Sequence, residues 1–157
     1  MKAEYINPFI ESVHNMMETM MNVTPQRQGI KIKEEPLTSG DISGIIGFAD
    51  KSITGAVALS FPTETALRIY QLMMDETAES LNSDVQDIVG ELANMVAGGA
   101  KKSFAESGYQ FHISIPSVII GNNHAIFHKI GTPVVVVEFL VEGKPFSMEV
   151  SMKIEGS

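Results

Sequence analysis

Glu91 and Asn94 stand together in the stretch "DIVGELANM", residues 87–95, with Gly90 directly before them. The types on offer are an acid and an amide that both donates and accepts hydrogen bonds. The surrounding apolar periodicity predicts a long helix, and a glycine inside a helix costs about 1 kcal/mol against alanine, with asparagine only somewhat better. Something other than helix stability has selected these residues. Asp87, Glu91, Asn94, Gly98 and Lys101 recur at three- and four-residue steps, so they share one side of that helix, opposite its apolar stripe. Gly90, Ala93, Ala97, Gly98 and Gly99 lie around the pair, too small to screen the backbone, and two readings are open: a partner approaches closely there, or the face is solvated and its small residues pack on a neighbouring helix.

Other chemistry finds little support. The chain has no cysteine, which excludes disulfides, thiolate metal sites and cysteine nucleophiles. There is no Gly-x-Ser-x-Gly elbow, no glycine-rich loop closing in Gly-Lys-Ser/Thr and no Gly-x-Gly-x-x-Gly after a strand. Glu11 and His14 have the spacing of a carboxylate-bridged metal motif, but such sites need a second copy and further carboxylates from other helices, and there is no second copy. A solvated or hydrogen-bonded histidine is the expectation at His14. His112, His124 and His128 fall on strand candidates or their turns without a closed ligand set, the last two with room to be exposed. The ten methionines, clustered in "NMMETMM" and "LMMDE", could mark an adaptable binding surface, but at core spacing they read as core filling.

The elements that must position the pair follow from periodicity. A first helix is expected from an Asn7 N-cap with Pro8 in the first turn, burying Phe9, Ile10, Val13, Met16/Met17 and Met20/Met21 and ending before Thr24-Pro25. Strands are expected at Gly29 to Lys33, Ile42 to Phe48 and Ile53 to Phe61, suggesting an antiparallel meander. A second helix over Thr63 to Met74 and the polar connector "DETAESLN" follow. The third helix opens at "SDVQ", where Ser83 and Gln86 have capping-box spacing and Asp84 and Asp87 suit the positive end of the dipole; Gly108 is its stop. Strands return at Tyr109 to Ile115, Ser117 to Ile120, His124 to Ile130, Val134 to Val141 and Phe146 to Ile154. Helix followed by strands thus occurs twice, and "DKSITGAVALSF" loosely echoes "GKPFSMEVSMKI", hinting at internal duplication.

At 157 residues and 44% hydrophobic, the chain reads as one domain, residues 1–157, with a sizeable core. The fold class expected is α+β, an antiparallel β-sheet flanked by helices. No apolar run approaches the roughly 20 residues of a membrane span, and the opening "MKAEYINPFIESVHN" lacks a signal-peptide core, so a soluble, cytoplasmic protein is expected. A formal net charge of −8 disfavours nucleic acid and favours a protein partner with a basic site.

The wider string "SDVQDIVGELANMVAGGAKKSFAESG", with Glu91 and Asn94 in place, resembles the signature helix of the CheX/CheC chemotaxis phosphatases, which hydrolyse the phosphoaspartate of the response regulator CheY. The likeness extends to "NPFIESV", "TGAVALSFPTETAL" and "FHISIPSVIIG". With one Glu-x-x-Asn, in the second half only, the chain is closer to the CheX kind than to a two-site CheC. The resemblance implies a CheC-like fold and an aspartyl-phosphate phosphatase with Glu91 and Asn94 as its catalytic pair, Asn94 orienting the attacking water and Glu91 pairing with the regulator's lysine. It implies no cofactor of the chain's own, Mg2+ being supplied by the regulator, a phosphorylated CheY-like partner, and a homodimer for which the apolar closing strands "PVVVVEFLV" and "FSMEVSMKI" offer edges. Glu11 and His14 would then occupy the places of Glu91 and Asn94 in the other half, a degenerate second site without phosphatase activity. The rival expectation is a noncatalytic module of the same fold that binds a regulator, receptor or flagellar switch component.

Overall fold

The structure is a computed structural model that describes residues 3–34, 40–128 and 132–155. Helix α1 spans Ala3–Met21 and buries the expected stripe of Phe9, Val13, Met16, Met17 and Met21. It starts ahead of the expected Asn7 cap because Tyr5 and Ile6 are buried as well, the Tyr5 ring meeting Tyr109 edge-on at 6.2 Å. Pro8 therefore lies inside the helix, early enough to interrupt a single backbone hydrogen bond.

Strand β1 (Gln26–Ile32) is followed by β2 (Ile42–Ala49), β3 (Ile53–Phe61), α2 (Thr63–Met74) and α3 (Ser83–Glu106), then β4 (His112–Ile113), β5 (Ser117–Ile120), β6 (Val134–Val141) and β7 (Lys144–Ile154). The fold is α+β: helices pack on one antiparallel sheet whose strand order is β1-β6-β7-β3-β2-β4, with β5 also paired to β2. Two sequence expectations fail here. The first three strands do not form a meander, since β2 and β3 make a hairpin while β1 pairs with β6 at the opposite edge. Residues 124–128 are not a strand; they run over the sheet's second face, where their side chains bond to it, and residues 129 and 130 of that expected strand lie outside the described residues.

The strand order has a symmetry that the chain order hides. Exchanging α1-β1-β2-β3 with the later half, α3 through β7, reverses the sheet onto itself, so β3 and β7 meet at the centre. Val57 and Val150, which hold equivalent places in the two echoing segments, pair directly. The helices agree: aligned so that Glu11 and His14 fall on Glu91 and Asn94, buried Tyr5, Phe9, Ile10, Ser12, Val13, Met16 and Met17 fall on buried Val85, Val89, Gly90, Leu92, Ala93, Val96 and Ala97.

Alternation along the strands sends Ile42, Ile46, Phe48, Val57, Leu59, Phe61, Val135, Val137, Phe139, Phe146, Met148 and Val150 to the helix-covered face, where all are buried. Because β6 and β7 are interior strands, their apolar residues fill this core and do not form an edge, contrary to the expectation for a dimer contact. The opposite face carries Ser43, Ser60, Ser147, Glu149 and Ser151, polar yet buried. There Lys33 Nζ donates to Glu149 Oε1 at 2.7 Å and to the Ile126 carbonyl at 3.0 Å, while His128 Nε2 lies 3.0 Å from the same carboxylate oxygen and Nδ1 3.0 Å from the Ser151 hydroxyl. His124 Nε2 lies 2.6 Å from the Ser43 hydroxyl. Neither histidine is the exposed ring that the sequence left room for; each ties the 121–128 segment to the sheet.

Helix α2 begins at a residue that cannot cap it, since Pro62 offers no side-chain acceptor. Asp41, the residue before β2, does so instead: its Oδ2 accepts from the Thr63 amide at 2.8 Å and from the Thr63 hydroxyl at 2.9 Å. These bonds, the amide's first, hold the carboxyl below its ordinary value of 3.8. A depressed folded-state value means a contribution complete above the unfolded value and lost as pH falls through the folded one. Asp41→Ala is expected to lose about 1 kcal/mol at neutral pH, as for other removed N-caps. The gap from wild type should narrow below pH 3.8, which urea denaturation at the two pH values measures.

Candidate functional site

Helix α3 carries the pair, and its start is set by Asn82, whose Oδ1 accepts from the Val85 amide at 3.0 Å. The expected Ser83–Gln86 capping box is not what forms; Gln86 Nε2 reaches back to the Leu81 carbonyl. At the far end Gly108 adopts φ 89°, the left-handed turn that stops the helix. Between these ends, Val85, Val89, Leu92, Val96, Ala100 and Phe104 go inward, while Asp87 and Glu91 are exposed and Asn94, Gly98 and Lys101 half-buried. The polar stripe thus faces out as its spacing requires. Among the described residues neither Glu91 nor Asn94 is seen to hydrogen-bond or ion-pair within the chain, so both side chains remain uncommitted on a rigid support.

The small residues around the pair have a different use from close partner approach. A Cβ added at Gly44 of β2 would stand 2.8 Å from the Val89 carbonyl oxygen and 3.0 Å from Ala93 Cβ, so α3 lies directly on the sheet there. At Gly99 it would come within sub-contact range of the Ser12 hydroxyl oxygen of α1. That hydroxyl donates to the Val96 carbonyl at 2.8 Å, tying α1 to the turn just after Asn94. Gly90 is buried against Pro116 and Val118, which a Cβ would meet at 3.7 and 3.4 Å. Ala93 and Ala97 are buried, and of the five small residues only Gly98 faces open space. Internal packing, the second of the two sequence readings, accounts for most of them.

Glu11 and His14 lie on α1 in the place that the duplication assigns. Glu11 is exposed, whereas His14 is half-buried with its ring against Phe139 at 6.2 Å, nearly perpendicular. His112 is exposed on the short β4. No group of three potential metal ligands is gathered among the described residues, and none of their helices is long and apolar enough to cross a membrane.

Cavities open elsewhere: one of about 590 Å³ is lined by Lys31, Glu138 and Phe146, another of about 210 Å³ by Ile45, Phe127 and Ser151. Neither includes Glu91 or Asn94. A pair of polar side chains on an outward helix face suits contact with a macromolecule. Sequence reasoning found the stripe but missed Ser12, Gly44 and Pro116, because close approach between separate elements leaves no local periodic signal.

The support makes a paired prediction. Gly44→Ala should destabilise by about 1–3 kcal/mol, since the new methyl meets a helix carbonyl that can retreat only if α3 lifts. Gly98→Ala, in open space, should stabilise by about 0.4–1 kcal/mol through the unfolded state. Thermal and denaturant unfolding of both variants check the contrast.

A family model described as chemotaxis phosphatase CheX matches residues 42–140. The chain is similar to a CheC-like superfamily protein from Shewanella sp. PV-4, with 34% identity, TM-score 0.92, and 98% of this chain and 99% of that one covered. It is similar to the chemotaxis protein CheX from Vibrio vulnificus, with 36% identity, TM-score 0.90, and coverage of 96% and 100%. It shares its fold with the Borrelia burgdorferi protein in a CheX-CheY-BeF3-Mg complex, at 23% identity, TM-score 0.82, and coverage of 97% and 99%. Curated proteins gave no match.

Proposed function

The chain belongs to the CheX family of chemotaxis phosphatases, and on that footing we propose that it hydrolyses the phosphoaspartate of a CheY-like response regulator, with Glu91 and Asn94 as its working pair. The observation that carries this reading is the pair itself: two uncommitted polar side chains, one turn apart, on the outward face of a helix clamped to sheet and neighbour helix. A related CheX has been crystallised with CheY bearing BeF3 and magnesium, which supports a regulator of that kind as the partner.

An aspartyl phosphate is already reactive, so the helper protein has little covalent work to do. Water oxygen attacks phosphorus in line, the bond from phosphorus to the acyl oxygen breaks, and the electron pair leaves on the aspartate carboxylate. The water's protons pass to phosphate and solvent. Asn94 accepts from and donates to groups in the regulator's site, fixing the water along that line; its contribution is orientation, since an amide neither takes nor gives a proton at neutral pH. Glu91 pairs with the regulator's lysine and fixes the register of docking. Charge on the phosphoryl oxygens is neutralised by Mg2+ that belongs to the regulator, not to this chain. On this reading the protein works in the cytoplasm, and the α1 face with His14 against Phe139 is a counterpart without activity.

Asn94→Ala should lower the maximal rate of regulator dephosphorylation about 10²-fold, the scale on which a misplaced reacting group is felt. Glu91→Ala should also weaken binding, because it removes one partner of an interfacial ion pair. Turnover and regulator binding, with circular dichroism as the folding check, separate the two. An Asn94→Ala variant that keeps the full rate defeats the mechanism, and a wild type that binds regulator without hydrolysing it gives the noncatalytic reading the field.

A homodimer is part of the proposal. Its support is β1, at the end of the described strand order, which leaves Ile30 and Ile32 about half exposed. Sedimentation at micromolar concentration should give twice the chain mass; a lone species of 17.1 kDa would remove this part.

A further inference from the structure

The edge of the sheet beside α3 contains a β-bulge. Between the pairs Phe48↔Ile113 and Ile45↔Ser117, the inner strand β2 passes through Gly47 and Ile46, while the outer chain passes through Ser114, Ile115 and Pro116, one residue more. The irregularity is held firmly. Ser114 N donates to the Gly47 carbonyl at 2.8 Å, Gly47 N donates back to the Ser114 hydroxyl oxygen at 3.0 Å, and that hydroxyl donates to the Ile115 carbonyl at 3.1 Å. The residues after it are fixed too, since Pro116 and Val118 lean on Gly90 of α3.

Such bulges redirect a side chain, and this one directs Ile115 into solvent, 87% exposed, more than any other large apolar residue described. A scattered exposed isoleucine is ordinary. Ile115 differs in where it is held. Gly90, on which its neighbour Pro116 rests, lies one helical turn from both Asp87 and Asn94 and directly before Glu91, so the bulge borders the polar stripe.

We propose that Ile115 is an apolar anchor of the regulator interface, docking against the receiver surface that flanks the aspartyl phosphate while Glu91 and Asn94 enter the site. This rests on the functional reading given above. An apolar knob on an ordered backbone loses little entropy on binding, and an apolar anchor beside charged contacts is a common source of affinity at protein interfaces. Ile115 touches neither the water nor the phosphoryl group, so its contribution lies in binding and not in the bond-breaking step.

The test compares steady-state dephosphorylation of a CheY-like regulator, phosphorylated with acetyl phosphate, by wild type, Ile115→Ser, Ile115→Leu and Asn94→Ala. Ile115→Ser is expected to raise KM about tenfold with kcat unchanged, and Ile115→Leu to restore KM to near wild type. The side chain is exposed, so circular dichroism and unfolding of the serine variant should match wild type. If Ile115→Ser keeps the wild-type KM while Asn94→Ala loses kcat, the anchor is overturned and the phosphatase reading stands. If Ile115→Ser converts a dimer to a monomer in sedimentation without changing KM, the occupant is a second copy and the proposal is likewise overturned. If wild type hydrolyses no such regulator, the functional reading falls and the anchor with it.

Discussion

Everything at the candidate site depends on how close α3 can come to its neighbours. Gly44 lets the helix backbone rest on β2 at Val89 and Ala93, and Gly99 lets the Ser12 hydroxyl of α1 reach the Val96 carbonyl. These contacts fall before, between and after Glu91 and Asn94 along the helix. A helix so held has little freedom to roll, and rolling is the motion that would carry the pair off the outward face. The same closeness explains a helix with four glycine and alanine positions buried or clamped near its middle: backbone proximity replaces side-chain volume, and dense packing is kept without large residues.

The duplicated architecture gives that constraint a counterpart. α1 and α3 bury equivalent positions and lie side by side, as the reversed strand order of the sheet demands. Their outward faces are nevertheless chemically different. Where α3 presents an exposed acid and an uncommitted amide, α1 presents an acid and an imidazole that packs on Phe139. Burial patterns persist through such divergence because the core must still be filled, whereas outward residues answer only to what they meet in solution.

The second face of the sheet is stabilised in another way. Lys33 and His128 both meet the buried carboxylate of Glu149, whose side chain is only 2% exposed, and Ser151 holds the other ring nitrogen of His128. Removing one partner from such a cluster leaves charge without solvation, a larger penalty than the net worth of the pair. Together with His124 on Ser43, this network fastens the 121–128 segment, so polar strand residues that would otherwise face water become interior. Both cavities open toward this side of the molecule or its β1 edge, away from the stripe.

The sequence by itself determined the helices, most strands and the outward stripe of Asp87, Glu91 and Asn94, because periodicity records which side of an element meets water. Thr63–Met74 and Val134–Val141 emerged with the expected bounds. It also carried the family likeness through its motif helix. Only the tertiary structure decided what depends on distance between separate segments: that β1 pairs with β6, that Asp41 caps α2, that His124 and His128 are bonded inside, and that Gly90 and Gly99 serve packing. Loop closure over long separations leaves no periodic trace, and a glycine reads the same whether it faces a partner, a neighbouring helix or solvent. The bulge at Ser114–Pro116 shows the limit most plainly, since alternation from Tyr109 to Ile115 predicts a continuous strand. One extra residue opposite β2, held by the Ser114 hydroxyl, turns Ile115 outward where the pattern alone would have kept it in the sheet.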